Sequence, residues 1–226
     1  MLNKNVALTI ACLLILFSTS AQKTGCIEGN CKDGFGTYAY QNGNKYEGEF
    51  KNYKLNGTGT FYFGSGKWEG SKYTGQWKDN CMEGPGIFYY ASGDKYEGQF
   101  EKNKLNGNGT YTYKNGDVYT GEWKDNYCNG KGIFTYADGE YKGCVYEGDW
   151  KNSKMNGQGI FTCKNGEKYT GNLKDNMKDG EGLLVFPDGS KYEGLFSKNK
   201  FNGQGCFTYT SGKQVCGKWK DNELQK

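Results

Sequence analysis

The sequence of 226 residues contains no histidine and no arginine, so all 29 of its basic residues are lysines. Without histidine there is no Ser-His-Asp or Cys-His nucleophile and no imidazole ligand for a metal ion. Without arginine there is no guanidinium group to bind phosphate or carboxylate through two parallel hydrogen bonds. Most common enzyme mechanisms need one of these two residue types, so we expect no catalytic residues, no cofactor and no metal ion.

The rest of the composition narrows the class of protein further. A net charge of +4 with 24% charged residues gives no indication of a nucleic-acid partner. Aromatic residues make up 16% of the chain, which favours packing over disorder. The 37 glycines are about twice the usual share. They are either low-complexity filler or fixed structural positions, and their spacing decides between the two.

The N-terminus has the pattern of a secretory signal peptide. Lys4 supplies the positive charge, the apolar stretch runs from Val6 to Phe17, and small residues precede a cleavage site after Ala21. We therefore predict a signal peptide over 1–21 and a secreted, cell-surface or periplasmic protein. The alternative is an N-terminal membrane anchor, but the apolar stretch is shorter than the about 20 residues that a spanning helix needs.

A pattern of glycines and aromatic residues recurs eight times along the chain. Its unit reads Gly-x-Gly-x-aromatic-x-aromatic-x-x-Gly-x-x-Tyr-x-Gly-x-aromatic, and successive copies are 23 or 27 residues apart. The copies begin at Gly34, Gly57, Gly84, Gly107, Gly130, Gly157, Gly180 and Gly203. Because 32 of the 37 glycines fall at fixed positions of this unit, glycine is structural here and the low-complexity interpretation fails.

Positions within each repeat are numbered from its first glycine as position 0, and the longer copies are counted past their insertions. Aromatic residues dominate positions 4, 6, 12 and 16, all even, which is the period of a β-strand with one aromatic face. Positions 8 and 9 read Asn-Gly, Ser-Gly or Asp-Gly, a strong hairpin signal. A three-residue turn at positions 7 to 9 pairs position 4 with 12, ring on ring, and position 2 with 14, glycine on glycine. We therefore expect aromatic rings to lie flat over strips of glycine.

One hairpin cannot bury its own aromatic face, but stacked copies can. The predicted fold class is therefore all-β, an elongated single-layer solenoid of antiparallel β-hairpins. We divide the chain after the signal peptide into an N-terminal half-unit over 22–33, which carries a cysteine pair, a repeat array over 34–222, and a C-terminal tail over 223–226.

The repeat resembles the MORN repeat family, whose units combine Tyr-x-Gly-x-Trp with spaced glycines and tyrosines. In one copy the pattern is carried by Gly107, Gly109, Tyr111, Tyr113, Gly116, Tyr119, Gly121 and Trp123. The resemblance covers residues 26–220 and implies a MORN-type ribbon. It also implies a protein-interaction platform or a membrane-associated scaffold. The family's arrays are also found attached to lipid kinases and to a lysine methyltransferase, but here the array fills the chain.

Two repeats are four residues longer than the others, and each insertion brings in an aromatic residue, Trp68 in one and Tyr141 in the other. We predict that these two side chains are contact residues on hairpin tips. The alternative is that the insertions are simply tolerated at an exposed tip.

Cysteine positions suggest disulfides, which an oxidising compartment permits. Cys206 at position 3 and Cys216 at position 13 should face each other, so we predict a disulfide that closes the last hairpin. Cys26 and Cys31 flank the half-unit, where Ile27 corresponds to the repeat's tyrosine, and we predict a second disulfide between them.

The other cysteines are less constrained by their positions. Cys144 and Cys163 are a candidate third pair across neighbouring repeats. Cys81 and Cys128 lie two repeats apart, too far to meet, and their positions give them no role. A zinc site is the other use of clustered cysteines, but the sequence has no Cys-x-x-Cys motif.

Lysine recurs at position 17, at the end of the second strand of most repeats. These residues are Lys51, Lys78, Lys124, Lys151, Lys174 and Lys220. One interpretation is a basic edge that contacts an anionic lipid or glycan. The alternative is a solubilising edge, because acidic residues alternate with these lysines.

We therefore expect a non-enzymatic scaffold or binding protein, secreted or surface-exposed, that mediates protein–protein or membrane/envelope association. The alternative function is a peripheral phospholipid- or glycan-binding module that uses the lysines and exposed aromatic rings. The sequence does not identify the partner protein or envelope surface, and it leaves the oligomeric state open.

Overall fold

The computed structural model describes residues 24–226, so the predicted signal peptide lies outside the described residues. From residue 24 to residue 226 the secondary structure is β-strand and turn, without helix. Consequently this part of the chain has no helix that could span a bilayer. The strands form antiparallel hairpins in a single layer, and the predicted all-β fold class is confirmed. The domain boundaries proposed from the sequence stay a prediction.

The chain divides into two compact units. Among the described residues, 24–114 and 123–126 form one unit, and 115–122 and 127–226 form the other. The first contains β1 (Gly25–Gly29), β2 (Gly34–Ala39), β3 (Lys45–Lys51), β4 (Lys54–Tyr62), β5 (Lys72–Lys78), β6 (Cys81–Tyr89), β7 (Lys95–Glu101) and β8 (Lys104–Thr112). Strand β9 (Val118–Lys124) contributes residues to both. The second contains β10 (Tyr127–Thr135), β11 (Val145–Lys151), β12 (Lys154–Thr162), β13 (Lys168–Lys174), β14 (Met177–Val185), β15 (Lys191–Ser197), β16 (Lys200–Thr208), β17 (Gln214–Lys220) and β18 (Glu223–Leu224).

The register within each repeat follows the three-residue turn expected from the sequence. In the first repeat Tyr38 faces Tyr46 and Gly36 faces Gly48. The backbone N–H of Tyr40 donates to the carbonyl of Asn44 at 2.9 Å, which closes the turn. Gly43 at position 9 has a φ of 79°, a left-handed conformation that glycine adopts without strain. The predicted hairpin register is therefore confirmed.

The connection between repeats is a second, tighter hairpin that the repeat pattern does not predict. Both residues of its two-residue turn have positive φ, for example 49° at Asp79 and 68° at Asn80, as in a type I′ turn. Past each turn the register slips at a β-bulge, where the repeat's first glycine is left-handed, with a φ of 66° at Gly84. The first glycine therefore serves the bulge between repeats.

The tyrosine at position 12 fills the space above the glycine strips. Seven such tyrosines have no exposed area: Tyr46, Tyr73, Tyr96, Tyr119, Tyr146, Tyr169 and Tyr192. A Cβ added at Gly86 would lie 2.5 Å from Cε2 of Tyr73, so the ring occupies the volume that a side chain would take. The hydroxyl of Tyr73 donates to the carbonyl of Gln76 at 2.9 Å, and burial raises the pKa of this phenol. The expected packing of rings on glycine strips is therefore present.

Side chains in both kinds of turn connect one repeat to the next. At the two-residue turns, the Oδ1 of Asn80 accepts the backbone N–H of Leu55 at 2.8 Å. At the hairpin tips, the Oδ1 of Asp94 accepts the backbone N–H of Lys114 at 2.7 Å. Each bond satisfies a backbone donor that the sheet register leaves unpaired, so the repeats are joined at both ends of their strands.

Three disulfides lie within the described residues, in keeping with an oxidising compartment. Cys206 and Cys216 are opposed in the register and bonded, with 4.0 Å between their Cα atoms. Cys144 is bonded to Cys163 of the next repeat. Because Cys144 occupies the tip position that Asp94 holds in another repeat, this disulfide takes the place of the side-chain hydrogen bond between repeats.

The N-terminal half-unit departs from the expected register. Cys26 and Cys31 are bonded, but a bulge in β1 places Cys26, not Ile27, opposite Tyr38. The assignment of Ile27 to the tyrosine position was therefore wrong. Ile27 is 49% exposed, because the bulged residue is left out of the pairing.

Cys128 is a free thiol, and its position in the repeat explains why it is buried. It occupies the place held by Leu105 and Met155 in other repeats, so it packs as a small apolar side chain. Burial raises the pKa of this thiol to about 12, which keeps it protonated and unreactive at neutral pH.

Candidate functional site

The outward face of the hairpins, opposite the tyrosine rings, carries a groove in the unit of residues 115–122 and 127–226. Its volume is about 550 Å³. Its floor consists of backbone, where Gly132 faces Gly148 and Gly148 faces Gly159 in successive strand pairs. A Cβ added at any of these glycines would point to the tyrosine face, so on the outward face only backbone lies between the two walls of the groove.

One wall of the groove is aliphatic. Ile133 faces Glu147 and Glu147 faces Ile160 in the register, so an acidic side chain stands between two isoleucines. Ile133 is 42% exposed and Ile160 38% exposed. In the other unit the corresponding row contains Thr60, which faces Thr74, and Ile87, which faces Thr74 from the next strand. Ile87 is half-buried, whereas Ile133 and Ile160 are both exposed, so this stretch of the outward face presents two exposed aliphatic side chains.

The opposite wall is polar and internally paired. Nζ of Lys131 lies 2.6 Å from Oδ1 of Asp149, and the side-chain amide of Gln158 donates to Oδ1 of Asn172 at 2.7 Å. The second oxygen of Asp149 accepts the backbone N–H of Gln158 at 2.9 Å. These contacts fix the polar wall, so the groove has one ordered polar side and one exposed aliphatic side.

A second concave region lies in the other unit, at the start of the repeat array. This cleft of about 570 Å³ is lined by the rings of Tyr38, Tyr40, Phe50 and Tyr53, by Lys32 and by the Cys26–Cys31 disulfide. Tyr38 and Tyr40 are 4.8 Å apart between ring centroids with planes at 53°, which gives the cleft a tilted aromatic wall.

The family model for the MORN repeat matches the chain in eight tandem segments. They span residues 28–45, 46–68, 73–95, 96–118, 119–141, 146–168, 169–191 and 192–214, most of the sequence. The chain belongs to the MORN repeat family. From the second segment onward, each MORN match begins at one of the seven buried tyrosines. The MORN resemblance proposed from the sequence is therefore confirmed.

No curated protein sequence matches this MORN chain. Among solved structures, it is similar to the TCP domain of SAS-4 from Drosophila melanogaster in complex with a proline-rich motif of Ana2. The identity is 10% and the TM-score 0.42, with 92% of this chain and 99% of that chain covered. It is also similar to a catalytically inactive virginiamycin B lyase from Staphylococcus aureus with quinupristin. There the identity is 12% and the TM-score 0.19, with 91% and 74% covered.

The residues that carry the MORN pattern in one copy serve the packing of the repeat. Gly116 is left-handed at the hairpin tip, with a φ of 89°. The indole N–H of Trp123 donates to the carbonyl of Gly109 at 3.2 Å. Tyr119 is fully buried, and Tyr111 and Tyr113 are almost so. These side chains hold the array together and leave little ring surface for a ligand.

The lysines of position 17 are all exposed at strand ends of the MORN array. Lys51, Lys78 and Lys124 lie in one unit, and Lys151, Lys174 and Lys220 lie in the other. The lysine across the two-residue turn forms a salt bridge, as Lys54 does with Asp79 at 3.0 Å. Lys51 faces Lys54 directly in the register, so this salt bridge offsets a like-charge pair.

The two aromatic residues of the insertions fold back onto the MORN array. The ring of Trp68 is half-buried, with centroids 5.9 Å from Phe88 and 6.0 Å from Tyr90. Tyr141 contacts Phe161 at 5.7 Å and remains 42% exposed. Both rings cover aromatic side chains of the following repeat, so part of each is used in packing. Their role as tip contacts stays a prediction.

The described residues contain no group of three or more cysteine, aspartate or glutamate side chains placed to hold a metal ion. The carboxylates of the turns are instead engaged with lysines. Lys54 holds the pKa of Asp79 below its usual range, and Lys104 does the same for Asp125, in each case chiefly through a side-chain hydrogen bond.

Proposed function

We propose that this MORN protein is a non-enzymatic, secreted or surface-exposed scaffold that binds a partner protein through the outward face of its hairpins. The observation that carries the proposal is the groove with Ile133 and Ile160 exposed above a floor of glycine backbone. Exposed aliphatic side chains in a concave site, with ordered polar groups on the opposite wall, suit a protein interface. Secretion is supported by the disulfides and by the N-terminal sequence.

The expected partner surface follows from the two walls. Aliphatic side chains of the partner would pack against the two isoleucines, and a basic side chain would face Glu147 between them. The buried tyrosines contribute indirectly, because they hold the strands in register and so fix the shape of the groove. Lipid or sugar stacking on the repeat tyrosines is not favoured, since these rings have no exposed area.

The test is recovery of a partner by variants that alter only the aliphatic wall. We expect the double variant Ile133→Glu and Ile160→Glu to recover at least about tenfold less partner protein from the native surface than the wild type does. A loss of about 1.4 kcal/mol in the free energy of binding is enough for a tenfold change in affinity. The matched control is Ile27→Glu, which changes an exposed isoleucine outside the groove and should recover the partner normally. Equal recovery by the wild type and the double variant would refute the proposed interface.

A second candidate function is association with anionic lipid through the lysines of position 17. It is favoured by their exposure and by their recurrence at strand ends. If it holds, sedimentation with phosphatidylserine vesicles is sensitive to salt and is lost when Lys51, Lys78 and Lys124 are replaced by alanine. A control with the same charge change replaces three lysines that form salt bridges in the same unit, Lys54, Lys95 and Lys104. Equal loss in both variants would indicate unspecific charge attraction and contradict a lipid site.

A further inference from the structure

The aromatic packing between repeats follows one rule along the array. Where a repeat has a ring at position 16 and a tyrosine at position 12, that ring contacts its own tyrosine and the tyrosine of the repeat before it. Two copies fall outside this rule, because one has Leu173 at position 16 and the last has Val215 at position 12. Trp77 lies 5.1 Å from Tyr73 and 5.5 Å from Tyr46 between ring centroids, both in edge-to-face geometry. Phe196 repeats this arrangement, at 5.2 Å from Tyr192 and 5.3 Å from Tyr169.

Phe50 is the exception, because it belongs to the first repeat. Its ring contacts Tyr46 at 5.1 Å, and no tyrosine of a preceding repeat lies on its other side within the described residues. The half-unit places Cys26 where a tyrosine would stand, opposite Tyr38, and bonds it to Cys31. Sγ of Cys31 covers Gly36, where a tyrosine ring covers the corresponding glycine of other repeats, and the aromatic cleft lies between this disulfide and Phe50.

Tyr53 gives an independent indication that this cleft binds a ligand. It is the second residue of a two-residue turn, with a φ of 62°, a conformation that costs a tyrosine about 1 kcal/mol or more. The same turn position holds Asn80, Asn103, Asn126, Ser153, Asn176, Asn199 and Asn222 in the other repeats. Those residues are small and polar, whereas Tyr53 is large, lines the cleft and is 68% exposed. Packing within the chain therefore does not explain why a tyrosine stands here.

The charge at the cleft is positive. Nζ of Lys32 lies 5.8 Å from the ring centroid of Tyr53, and Lys32 is exposed. A carboxylate that approached this rim would meet the lysine without displacing a protein salt bridge of the described residues. The cleft thus combines a space bordered by aromatic rings with a cation at its edge.

We propose that the cleft binds a tyrosine or phenylalanine side chain of a partner polypeptide, with an acidic residue of the same segment facing Lys32. The ring would pack edge-to-face on Phe50, as Tyr46 packs on Trp77, and so continue the packing between repeats. The proposal rests on the proposed protein-binding function but uses different residues from the groove. A sugar is less suited to the cleft, because its rings are tilted against one another and few polar groups line it.

The test is an NMR titration of the folded chain with two synthetic peptides at millimolar concentration. The probe is the acetylated and amidated peptide Gly-Asp-Gly-Tyr-Gly, and the comparison peptide has alanine in place of tyrosine. We expect saturable shifts at Lys32, Tyr38, Phe50 and Tyr53 with the tyrosine peptide alone. Substituting asparagine for aspartate in the probe should weaken binding several-fold, since it removes the charge that faces Lys32.

Two variants of the chain separate binding from folding. Tyr53→Asn installs the residue that six other repeats carry at this position, so we expect it to fold and to weaken peptide binding at least about threefold. Tyr38→Ala should weaken it at least about tenfold. The matched control is Tyr209→Ala, which removes a tyrosine that is 48% exposed elsewhere, and it should bind normally.

Three results would overturn the proposal. The first is equal binding of the tyrosine and alanine peptides, or no saturable shift with either. The second is unchanged binding in folded Tyr53→Asn and Tyr38→Ala. The third is occupation of the cleft by chitohexaose or by phosphatidylserine vesicles in place of the peptide. The groove and the cleft are tested separately, because Ile133→Glu leaves the cleft intact. This variant should therefore bind the tyrosine peptide normally even if it no longer recovers the partner.

Discussion

Replacing Gly148 by alanine is expected to reduce the free energy of unfolding by about 3 kcal/mol, although only one methyl group is added. The new Cβ would lie 2.6 Å from Cα of Gly159 on the paired strand and 2.6 Å from the carbonyl oxygen of Gln158. It would also meet the hydroxyl of Tyr146, whose ring covers this site. Backbone on one side and a buried ring on the other cannot move apart cheaply, so overpacking has a large cost.

Gly217→Ala is the matched control for this substitution. Gly217 occupies the same repeat position in β17, whose partner strand β18 pairs only with Trp219 and Lys220. The atom that its Cβ would approach is Cδ1 of Leu224, the end of a flexible side chain, and we expect an effect within about 0.5 kcal/mol. Urea unfolding followed by tryptophan fluorescence measures both values, and hydrogen exchange locates the damage. Equal stability of the two variants would show that strand approach does not depend on glycine.

The register of the hairpins could be predicted because it depends on the even spacing of the aromatic residues and on the length of the turn. Once aromatic residues fall at even positions and the turn glycine is left-handed, the turn has three residues and Tyr38 must face Tyr46. The same arithmetic places Cys206 opposite Cys216. Local turn chemistry and the period of the strand thus determined the pairing within a repeat.

The pairing between repeats could not be obtained in the same way. Its turn contains residues such as Asp79 and Asn80 at positive φ, which lack the Asn-Gly signal of a type I′ turn. The bulge that follows changes the sum of paired residue numbers by two, as between Trp77–Met82 and Gly75–Gly86. Such a shift leaves parity unchanged, so parity could not reveal it. The bulge in β1 differs, because it shifts the register by a single residue and so moved Cys26 to the position expected for Ile27.

The repeat pattern does not predict the two candidate sites, because it is defined by the recurring glycines and aromatic residues and the sites depend on other positions. The groove depends on Ile133 and Ile160, which occupy an outward position that varies between copies. Three of the other copies have threonine there, and the remaining three have Ile87, Leu183 and Cys206. The cleft depends on Tyr53, where most repeats have asparagine. In both cases the available signal lay at a position outside the glycine and aromatic pattern of the repeat. The rings at even positions, which the pattern emphasises, are largely used in packing.

Replacing Tyr73 by alanine is expected to have the larger effect of the two substitutions, about 4 kcal/mol, because it opens a cavity between two repeats. The ring has no exposed area and contacts Trp77 at 5.1 Å and Phe100 at 4.9 Å between centroids. Removing it also uncovers the backbone of Gly75 and Gly86, which water would then reach. In a repeat array each unit is stabilised by its neighbours, so we expect the first unit to lose its cooperative unfolding.

Tyr73→Phe separates the ring from its hydroxyl. It keeps the packing and removes the hydrogen bond to the carbonyl of Gln76, so we expect a loss of about 1 kcal/mol. Tyr209→Ala serves as the exposed control and should cost less than about 1 kcal/mol. Urea unfolding and hydrogen exchange of strands β5 and β6 measure the three variants. If Tyr73→Ala cost no more than Tyr209→Ala, the tyrosine rings would not be what joins the repeats, and the glycine strips would need another explanation. A large loss confined to these strands would show that each ring stabilises the junction it fills.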